Sequence, residues 1–534
     1  MTPRRRLLVL GLAALTALVT GCSSAGPPGS APAPLQVDTT SGRLQGLSTD
    51  TARQFLGVRY AEAPIGPRRW TLPVAPPTPE GTVAATAPGP ACAQSSGVPG
   101  ADATSSPDED CLFLNVTTPK DLRPGEKLPV MVWWHGGGYT TGSGAVYDAQ
   151  RLASQGRVMV VTVNYRLGVF GYLSLPGLSG SGDFGLADQM LATRWARDNA
   201  AAFGGDPGNV TVFGESAGAM SACAMLTSPG ARGLADKVAM SSGSCLLDWP
   251  QDGLLPGVPP STPYVALPDA EAFGSSQAQA VGCTGPDTVG CLRGKPVTDL
   301  LPIAPSFANM LAFGTPMLPV DPARAVRDGV TPTIPILSGG NQAEARAFVG
   351  GMLKIQPFVT PETYPALLRN AFADQADAVA AQYPLSGYPN AATAWSAVIT
   401  DSSWACPTLA GNAAMARGGA TVHGYEFADP TAPDVNQAGS PDFDPGPAHA
   451  TDVGYLFDLT GRSLLHTPEQ QRLAEAMVAY WTSFARTGTP AAPGAPAWPA
   501  LTGTDGPSLQ LAPTIAPVDV AAEHRCGFWA SVRG

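Results

Sequence analysis

The stretch that most limits how this chain can fold is residues 209–218, which read Asn-Val-Thr-Val-Phe-Gly-Glu-Ser-Ala-Gly. Its apolar start predicts a short buried strand, and the Ala/Met/Leu-rich segment that follows predicts a helix. Gly-x-Ser-x-Gly lies between them, with Ser216 at its centre. Glycines on either side leave no Cβ to clash where strand and helix meet. We therefore predict a nucleophile elbow that exposes the serine hydroxyl, although a glycine-rich turn with an idle serine stays open from these residues alone.

Composition narrows the class of protein. The chain has 534 residues, of which 44% are hydrophobic, so it can bury a large core. Its formal net charge is −11, and no basic patch stands out after residue 6, so the sequence disfavours a nucleic-acid partner. An acidic surface suits an extracellular protein.

The N-terminus predicts export. Three arginines precede an apolar run of about 13 residues, which is short of the roughly 20 that a membrane span needs. The run ends in Val-Thr-Gly-Cys, which resembles a bacterial lipobox, so we predict a lipoprotein signal peptide over 1–21 and a lipid on Cys22. Residues 22–36 are then a flexible tether rich in Pro, Gly, Ser and Ala. The protein is expected at the cell surface, held to the membrane only through Cys22. The alternative is an ordinary cleaved signal peptide and a secreted protein.

The remaining chain, 37–534, predicts one catalytic domain. Nearly continuous apolar strands alternate with helical segments, which is typical of a mostly parallel, twisted α/β sheet with helices on both faces. The Pro-rich residues 250–330 interrupt this alternation, and we interpret them as a cap-like insertion over the site. The clearest elements are strands at 128–134, 157–164, 238–241 and 333–337 and helices at 185–199 and 469–486.

A glycine run follows the apolar strand that ends at Trp134. It reads His-Gly-Gly-Gly, from His135 to Gly138. Such a run lets backbone N–H groups converge on one point, as an oxyanion hole requires. We predict that Gly137, Gly138 and Ala217 donate to the oxyanion, the last because it begins the helix after the serine. A flexible turn is the alternative.

A serine nucleophile needs a histidine base, and the chain has five histidines. The sequence order typical of this strand–turn–helix element is Ser, then acid, then His, so the base should follow the serine. His449 lies in a Gly/Pro loop before an apolar run and is the best candidate, with a surface-loop role as the alternative. The others are less suitable: His135 precedes the serine, His423 lies in a predicted strand, and His466 and His524 lie in polar stretches near helix or chain ends.

The acid is harder to assign from pattern. Glu344 follows a predicted strand and a Gly-rich loop, which suits a carboxylate that orients the base. Asp429 and Asp452 remain competitors. Asp452 lies only three residues from His449, and neighbours that close in a loop more often form a local turn.

Taken together, these motifs resemble the type-B carboxylesterase/lipase family, the α/β-hydrolases that include the cholinesterases. The resemblance runs from about residue 37 to residue 529 and follows the family's order. It rests on segments 109–116 (Glu-Asp-Cys-Leu-Phe-Leu-Asn-Val), 135–138, 164–168 (Asn-Tyr-Arg-Leu-Gly), 203–207 (Phe-Gly-Gly-Asp-Pro), 214–218, 340–344 (Gly-Asn-Gln-Ala-Glu), 449–452 (His-Ala-Thr-Asp) and 484–490 (Phe-Ala-Arg-Thr-Gly-Thr-Pro).

The resemblance implies an α/β-hydrolase fold and a triad of Ser216, Glu344 and His449. It implies hydrolysis of small to medium carboxylic esters through an acyl-enzyme, with neither metal nor organic cofactor. A lipase acting on long-chain acyl esters is an alternative within the family. A non-catalytic binding scaffold is an alternative from another class, but the three catalytic positions are all filled. The loop 93–110 has no aromatic residue, whereas the cholinesterase loop supplies a tryptophan for quaternary ammonium, so a choline ester is not expected.

Cysteines and charged residues complete the expectations. Nine cysteines minus Cys22 leave eight, an even number that suits disulfides in an exported protein. The family resemblance implies the pairs Cys92–Cys111, Cys283–Cys291 and Cys406–Cys526. Cys223 on the elbow helix and Cys245 after the next strand remain, and we predict that they form a fourth disulfide. The resemblance also implies two structural ion pairs, Arg59–Glu109 and Arg166–Asp188.

Overall fold

The computed structural model describes residues 34–95, 105–123, 125–501 and 507–533. The predicted signal peptide, Cys22 and most of the tether lie outside these residues, as does the central part of the 93–110 loop. Within the described ranges, no helix combines the length and the apolar character that crossing a bilayer requires.

A mixed sheet forms the centre of the described chain. It contains eleven strands, which we number in chain order: β1 Leu47–Ser48, β2 Ala52–Arg59, β3 Phe113–Pro119, β4 Leu128–Trp134, β5 Met159–Val163, β6 Gly205–Glu215, β7 Lys237–Ser241, β8 Ile336–Asn341, β9 Val422–Phe427, β10 Ser508–Leu511 and β11 Ala516–Val518. Their spatial order is β11-β10-β9-β8-β7-β6-β4-β5-β3-β2-β1. The pairings from β10 through to β5 are parallel, and those at both edges are antiparallel. This order confirms the predicted mostly parallel sheet. The sequence pattern had not distinguished the antiparallel strands at its edges from the parallel ones.

Short strands outside this sheet pair with one another in the connecting segments. They lie at Gln36–Thr39, Gly42–Gln45, Thr82–Ala84, Tyr147–Asp148, Tyr264–Ala266, Leu311–Phe313 and Asp458–Leu459. The α-helices are α1 Gln150–Gly156, α2 Gly168–Tyr172, α3 Phe184–Phe203, α4 Ala217–Thr227, α5 Leu267–Ala280, α6 Thr288–Gly294, α7 Val297–Leu300, α8 Pro322–Arg327, α9 Arg346–Leu353, α10 Tyr364–Phe372, α11 Ala376–Gln382, α12 Ala391–Ile399, α13 Cys406–Arg417, α14 Pro468–Thr487, α15 Val520–Glu523 and α16 Cys526–Arg533. A π-helical turn, Thr400–Ala405, joins α12 to α13.

The central strands are apolar because both faces of the sheet are covered. Every residue of β4 is buried. Its alternate side chains enter two different cores: Trp134 packs on the side of α3 and α4, whereas Trp133 packs on the side of α1 and α14. This arrangement explains why the strand has no polar alternation.

Helix ends follow sequence signals. Thr467 and Gln470 form a reciprocal capping box at the start of α14, and Gly488 ends that helix with a positive φ of 82°. Gly204 ends α3 in the same way, with φ 88°. Both helices are therefore bounded by residues that satisfy or terminate the backbone hydrogen-bond ladder.

Two excursions leave the sheet. Residues 250–330 form α5 to α8 and a two-stranded sheet, and the hydroxyl of Tyr264 donates to the Met220 carbonyl of α4 at 2.9 Å. A second excursion, residues 342–421 between β8 and β9, contains α9 to α13, and its apolar core around Trp395 also includes Trp529 of α16. The sequence pattern singled out only the first of these two segments.

Of the two predicted ion pairs, the structure confirms one and contradicts the other. Arg166 and Asp188 form a buried bidentate pair with contacts of 2.7 Å. The Arg59–Glu109 pair is wrong, since Arg59 contacts Asp110 at 2.6 Å and Glu109 instead pairs with Arg69. The side chain of Glu109 is 7% exposed, against 47% for Asp110, and its partner Arg69 also donates to backbone carbonyls of the first excursion. The more buried arginine thus takes the more buried carboxylate.

The eight remaining cysteines form four disulfides in the structure. Cys223 on α4 joins Cys245 just beyond β7, which links the elbow helix to the neighbouring strand. The four pairs are Cys92–Cys111, Cys223–Cys245, Cys283–Cys291 and Cys406–Cys526. Disulfides of this number are typical of proteins in oxidising compartments.

Candidate active site

Ser216 occupies a sharp turn between β6 and α4. Its backbone has φ 53° and ψ −122°, a conformation that a non-glycine residue adopts only when the surroundings impose it. The Ser216 N–H donates to the Ser241 carbonyl of β7 at 2.9 Å, and its carbonyl accepts from Met220 in α4. The turn is therefore held by the neighbouring strand on one side and by its own helix on the other.

The glycines of the motif permit a close backbone approach. Gly214 pairs with Trp134 in the parallel β4–β6 ladder. A Cβ on Gly218 would lie 1.9 Å from the Trp134 carbonyl oxygen, and one on Gly214 would lie 2.7 Å from the Gly218 carbonyl carbon. Only glycine fits these positions, so the pentapeptide sets how closely α4 begins against the end of β4.

The glycine loop after β4 lies beside this turn. A Cβ on Gly136 would lie 3.0 Å from the Cβ of Ser216. Gly137 and Gly138 both have positive φ, 106° and 60°, which glycine adopts without strain. The structure thus brings the start of the glycine loop next to the elbow that carries Ala217.

The carbonyl groups of Gly136 and Gly137 accept hydrogen bonds from nearby donors. His135 Nδ1 lies 2.8 Å from the Gly136 oxygen, and burial lowers the pKa of His135 to about 4, so the ring is neutral and donates from Nδ1. The Gly137 oxygen accepts from the backbone N–H groups of Thr140 and Thr141 at 3.0 and 3.1 Å. In a trans peptide the carbonyl and the N–H point in opposite directions. The N–H groups of Gly137 and Gly138 therefore point away from the donors that bind the carbonyls of Gly136 and Gly137.

His449 and Glu344 meet at the same edge of the sheet. Their side chains are both buried, and His449 Nδ1 lies 2.5 Å from Glu344 Oε2. Glu344 follows β8, and its other oxygen accepts the N–H of Asn341 at 2.7 Å. The His449 backbone N–H also donates to the Glu344 carbonyl at 3.3 Å, so the two loops hold each other.

The second nitrogen of the imidazole faces the elbow. His449 Nε2 lies 3.1 Å from Oε1 of Glu215, the residue directly before Ser216. Sequence reasoning did not single out Glu215, although its place inside Gly-x-Ser-x-Gly was a usable signal. The imidazole ring also packs against Phe348 of α9 and Trp404 of the π-turn, with ring centroids at 5.0 and 4.7 Å.

Electrostatics at His449 combine burial with several carboxylates. Burial alone lowers the pKa of His449, but the negative charges of Glu215 and Glu344 outweigh it and raise this pKa to about 9. Burial also raises the pKa of Glu215 to about 8, with the positive charge of His449 opposing and the charge of Asp452 adding to the shift. Burial and the surrounding charges thus raise the pKa of both groups, and the two titrate as a coupled pair.

The competing acids have other partners. Asp452 accepts from the Ser241 hydroxyl at 2.5 Å and from the Tyr425 hydroxyl at 3.3 Å, and burial raises its pKa. Asp429 accepts from the Tyr455 hydroxyl at 2.6 Å. Neither carboxylate has a described hydrogen bond to His449.

The remaining histidines lie elsewhere. His423 is buried in β9, with Nδ1 3.1 Å from the Trp498 carbonyl oxygen. The imidazole of His524 lies between Asp401 and Glu426, 2.6 Å from each, and forms with Glu426 and Glu523 the one described group of three potential metal ligands. Both His524 nitrogens are already engaged by carboxylates, so neither is free to bind a metal ion.

Comparison with known proteins agrees with this geometry. The model of the carboxylesterase family matches residues 33–529. Para-nitrobenzyl esterase of Bacillus subtilis (strain 168) is 33% identical over 482 residues, covering 87% of this chain and 92% of the relative. Fumonisin B1 esterase of Sphingopyxis macrogoltabida is 33% identical, covering 85% of this chain and 82% of the relative, and carboxylesterase 3B of Mus musculus is 32% identical, covering 87% and 85%.

These relatives are similar along most of their own length, so the match is not confined to a shared segment. It includes the strand–turn–helix element, the glycine loop and the two loops that carry Glu344 and His449. The chain belongs to the carboxylesterase family of serine ester hydrolases.

Proposed function

We propose that this chain hydrolyses carboxylic esters through an acyl-enzyme, with Ser216 as nucleophile, His449 as base and Glu344 as the orienting acid. The observation that carries the proposal is the 2.5 Å contact between His449 Nδ1 and Glu344, made where Nε2 faces the elbow of Ser216. A buried carboxylate at Nδ1 holds a proton on that nitrogen, so in the neutral imidazole it is Nε2 that can accept a proton. The match to named esterases supports the same reaction.

Acylation begins at the strained turn. The Ser216 oxygen attacks the ester carbonyl carbon while its proton passes to His449 Nε2. Charge develops on the former carbonyl oxygen, where the N–H groups of Gly137, Gly138 and Ala217 donate to it. Collapse of this intermediate breaks the bond to the alcohol, which leaves with the proton from His449.

Deacylation repeats these steps with water. His449 takes a proton from water as its oxygen attacks the acyl carbon, and the same three N–H groups bind the second oxyanion. Breaking the acyl–serine bond releases the carboxylic acid and returns the proton to Ser216. Glu344 stabilises the imidazolium twice in each cycle.

Aromatic side chains beside His449 favour small to medium esters. Trp404 stacks with Phe348 at 5.7 Å and meets Trp249 edge-on at 5.4 Å, so the three rings form one cluster against the imidazole. Rigid rings limit the length of an acyl or alcohol group that reaches this side. A long-chain lipase is the alternative reading of the same machinery.

Lipidation of Cys22 belongs to the same proposal. The Val-Thr-Gly-Cys sequence supports an anchor, and the four disulfides suit an exported protein. Mass spectrometry of the mature N-terminus from a bacterial host that processes lipoproteins should show cleavage before Cys22 and added diacylglycerol. An unmodified Cys22, or cleavage elsewhere, contradicts the anchor and leaves a secreted enzyme.

Activity should depend on Ser216 and on ester length. We expect Ser216→Ala to lose roughly 10⁶-fold in kcat, the scale for a triad serine in a comparable hydrolase. The measurement is hydrolysis of p-nitrophenyl esters from acetate to palmitate, with an active-site serine probe as a second readout. Wild-type activity that peaks at short chains supports the proposal, and a long-chain optimum favours the lipase. Folded protein that neither turns over nor takes the probe would instead be a binding scaffold.

The choice of acid can be tested with two isosteric variants. Glu344→Gln should lower kcat by about 10⁴-fold, because an amide no longer stabilises the imidazolium. Asp452→Asn keeps a group that bonds Ser241 and should retain far more activity. Full activity of Glu344→Gln beside an inactive Asp452→Asn would show that Asp452 is the acid.

The pH profile should report the charge of Glu215. Its carboxylate favours the protonated imidazole, so the acid limb of kcat/KM in the wild type should lie above the ordinary histidine pKa of about 6.5. Glu215→Gln removes that charge and should move the limb to lower pH, since His449 then loses its proton earlier. Glu469→Gln, an exposed carboxylate of α14, serves as the control. An unmoved limb in Glu215→Gln would mean that Glu215 carries no charge that His449 senses.

A further inference from the structure

Gln94 is a buried side chain next to the first disulfide, and the mechanism above does not use it. It is 1% exposed and lies two residues after Cys92. Its backbone N–H and carbonyl pair with those of Ser106 at 2.8 and 2.9 Å. The disulfide and this pair of backbone hydrogen bonds hold the Gln94 backbone in place, so its side chain extends from a fixed position.

The amide of Gln94 binds both backbone polar groups of Gly142, which lies four residues after the glycine loop 135–138. Its Oε1 accepts the N–H of Gly142 at 2.9 Å, and its Nε2 donates to the Gly142 carbonyl, also at 2.9 Å. A third bond, from Nε2 to the Cys92 carbonyl at 3.0 Å, returns to the disulfide. Both the donor and the acceptor of Gly142 are therefore held by one side chain 48 residues away in sequence.

Gly142 in turn covers the hydrogen bond that orients the first oxyanion donor. Its φ is 121°, and a Cβ there would lie 2.3 Å from His135 Nδ1 and 2.9 Å from the Gly136 oxygen. The backbone of Gly142 thus lies close to the pair whose contact sets the Gly136–Gly137 peptide, with no room for a side chain between them. Displacing Gly142 gives the ring of His135 room to turn and frees that peptide to rotate.

We infer that Gln94 is a positioning residue for the oxyanion hole: through Gly142 it keeps the Gly137 N–H directed at the developing charge. The inference rests on the proposed function, because it concerns how the same hole is built. The cross-link Cys92–Cys111 then supports the reaction as well as the fold, since Gln94 transmits its rigidity to the loop. No contact between Gln94 and substrate is involved.

The test compares Gln94→Leu, which keeps most of the volume and removes the amide, with Gln470→Leu. Gln470 is a suitable control because it is also buried, and its amide donates to a loop carbonyl, that of Thr431, at 2.6 Å. Each variant is assayed for kcat, KM and Tm. Inhibition is measured with an aryl trifluoromethyl ketone, which becomes an oxyanion on Ser216, and with the matching methyl ketone, which binds without that charge.

We expect Gln94→Leu to lose about 10- to 100-fold in kcat, because a misdirected donor stabilises the transition state poorly. Affinity for the trifluoromethyl ketone should fall by the same factor, while KM and methyl ketone affinity stay within about twofold. Gln470→Leu should lower Tm with kcat unchanged.

The inference is overturned if Gln94→Leu keeps wild-type kcat, or if kcat falls while affinity for the trifluoromethyl ketone does not. Equal losses in both glutamine variants would also overturn it, because they would follow from stability alone. The proposed function is judged separately in the same assays by Ser216→Ala. If that variant keeps its activity, the nucleophile is wrong, whatever Gln94 does.

Discussion

The close approach of α4 to the end of β4 is the constraint on which the site depends. Gly218 lies so near the Trp134 carbonyl that no Cβ fits between them. This contact places the serine turn beside the glycine loop that continues from the same strand. The parallel pairing of β4 and β6 supplies the alignment, since Gly214 and Trp134 are register partners. The serine turn and the start of the glycine loop are thus brought together by one pair of neighbouring strands, before any side chain contributes.

A second constraint is electrostatic. Three carboxylates, those of Glu215, Glu344 and Asp452, lie in the buried region around one imidazole. In a medium of low polarity such a group cannot hold several negative charges at once, so protons redistribute among its members. Asp452 accepts hydrogen bonds from the hydroxyl groups of Ser241 and Tyr425, and burial raises the pKa of both Asp452 and Glu215. Glu344 accepts a backbone N–H and also bonds the imidazole, so its carboxylate is held by two groups.

Sequence reasoning identified the parts of the site that are local in the chain. Ser216 and the glycine loop follow directly from motifs that only one backbone path satisfies. Glu344 was one of three candidates by pattern, because the loop after a strand does not reveal which carboxylate turns towards a distant histidine. The Arg59–Glu109 prediction was wrong for a related reason: adjacent Glu109 and Asp110 offer two acids, and burial decided between their partners. The role of residues 342–421 was missed because helices without a motif give no sign of what they cover.

The second excursion shows how a site made by the sheet is completed from outside it. Trp404 reaches His449 from a π-turn, a geometry that persists in helices mainly where a side chain must be redirected. Within that turn the Thr400 hydroxyl accepts the N–H of Ala345, the residue after the acid, and Asp401 is bound by His524 near the C-terminus. The chain end therefore secures the turn, and the turn secures both Trp404 and the loop that carries Glu344.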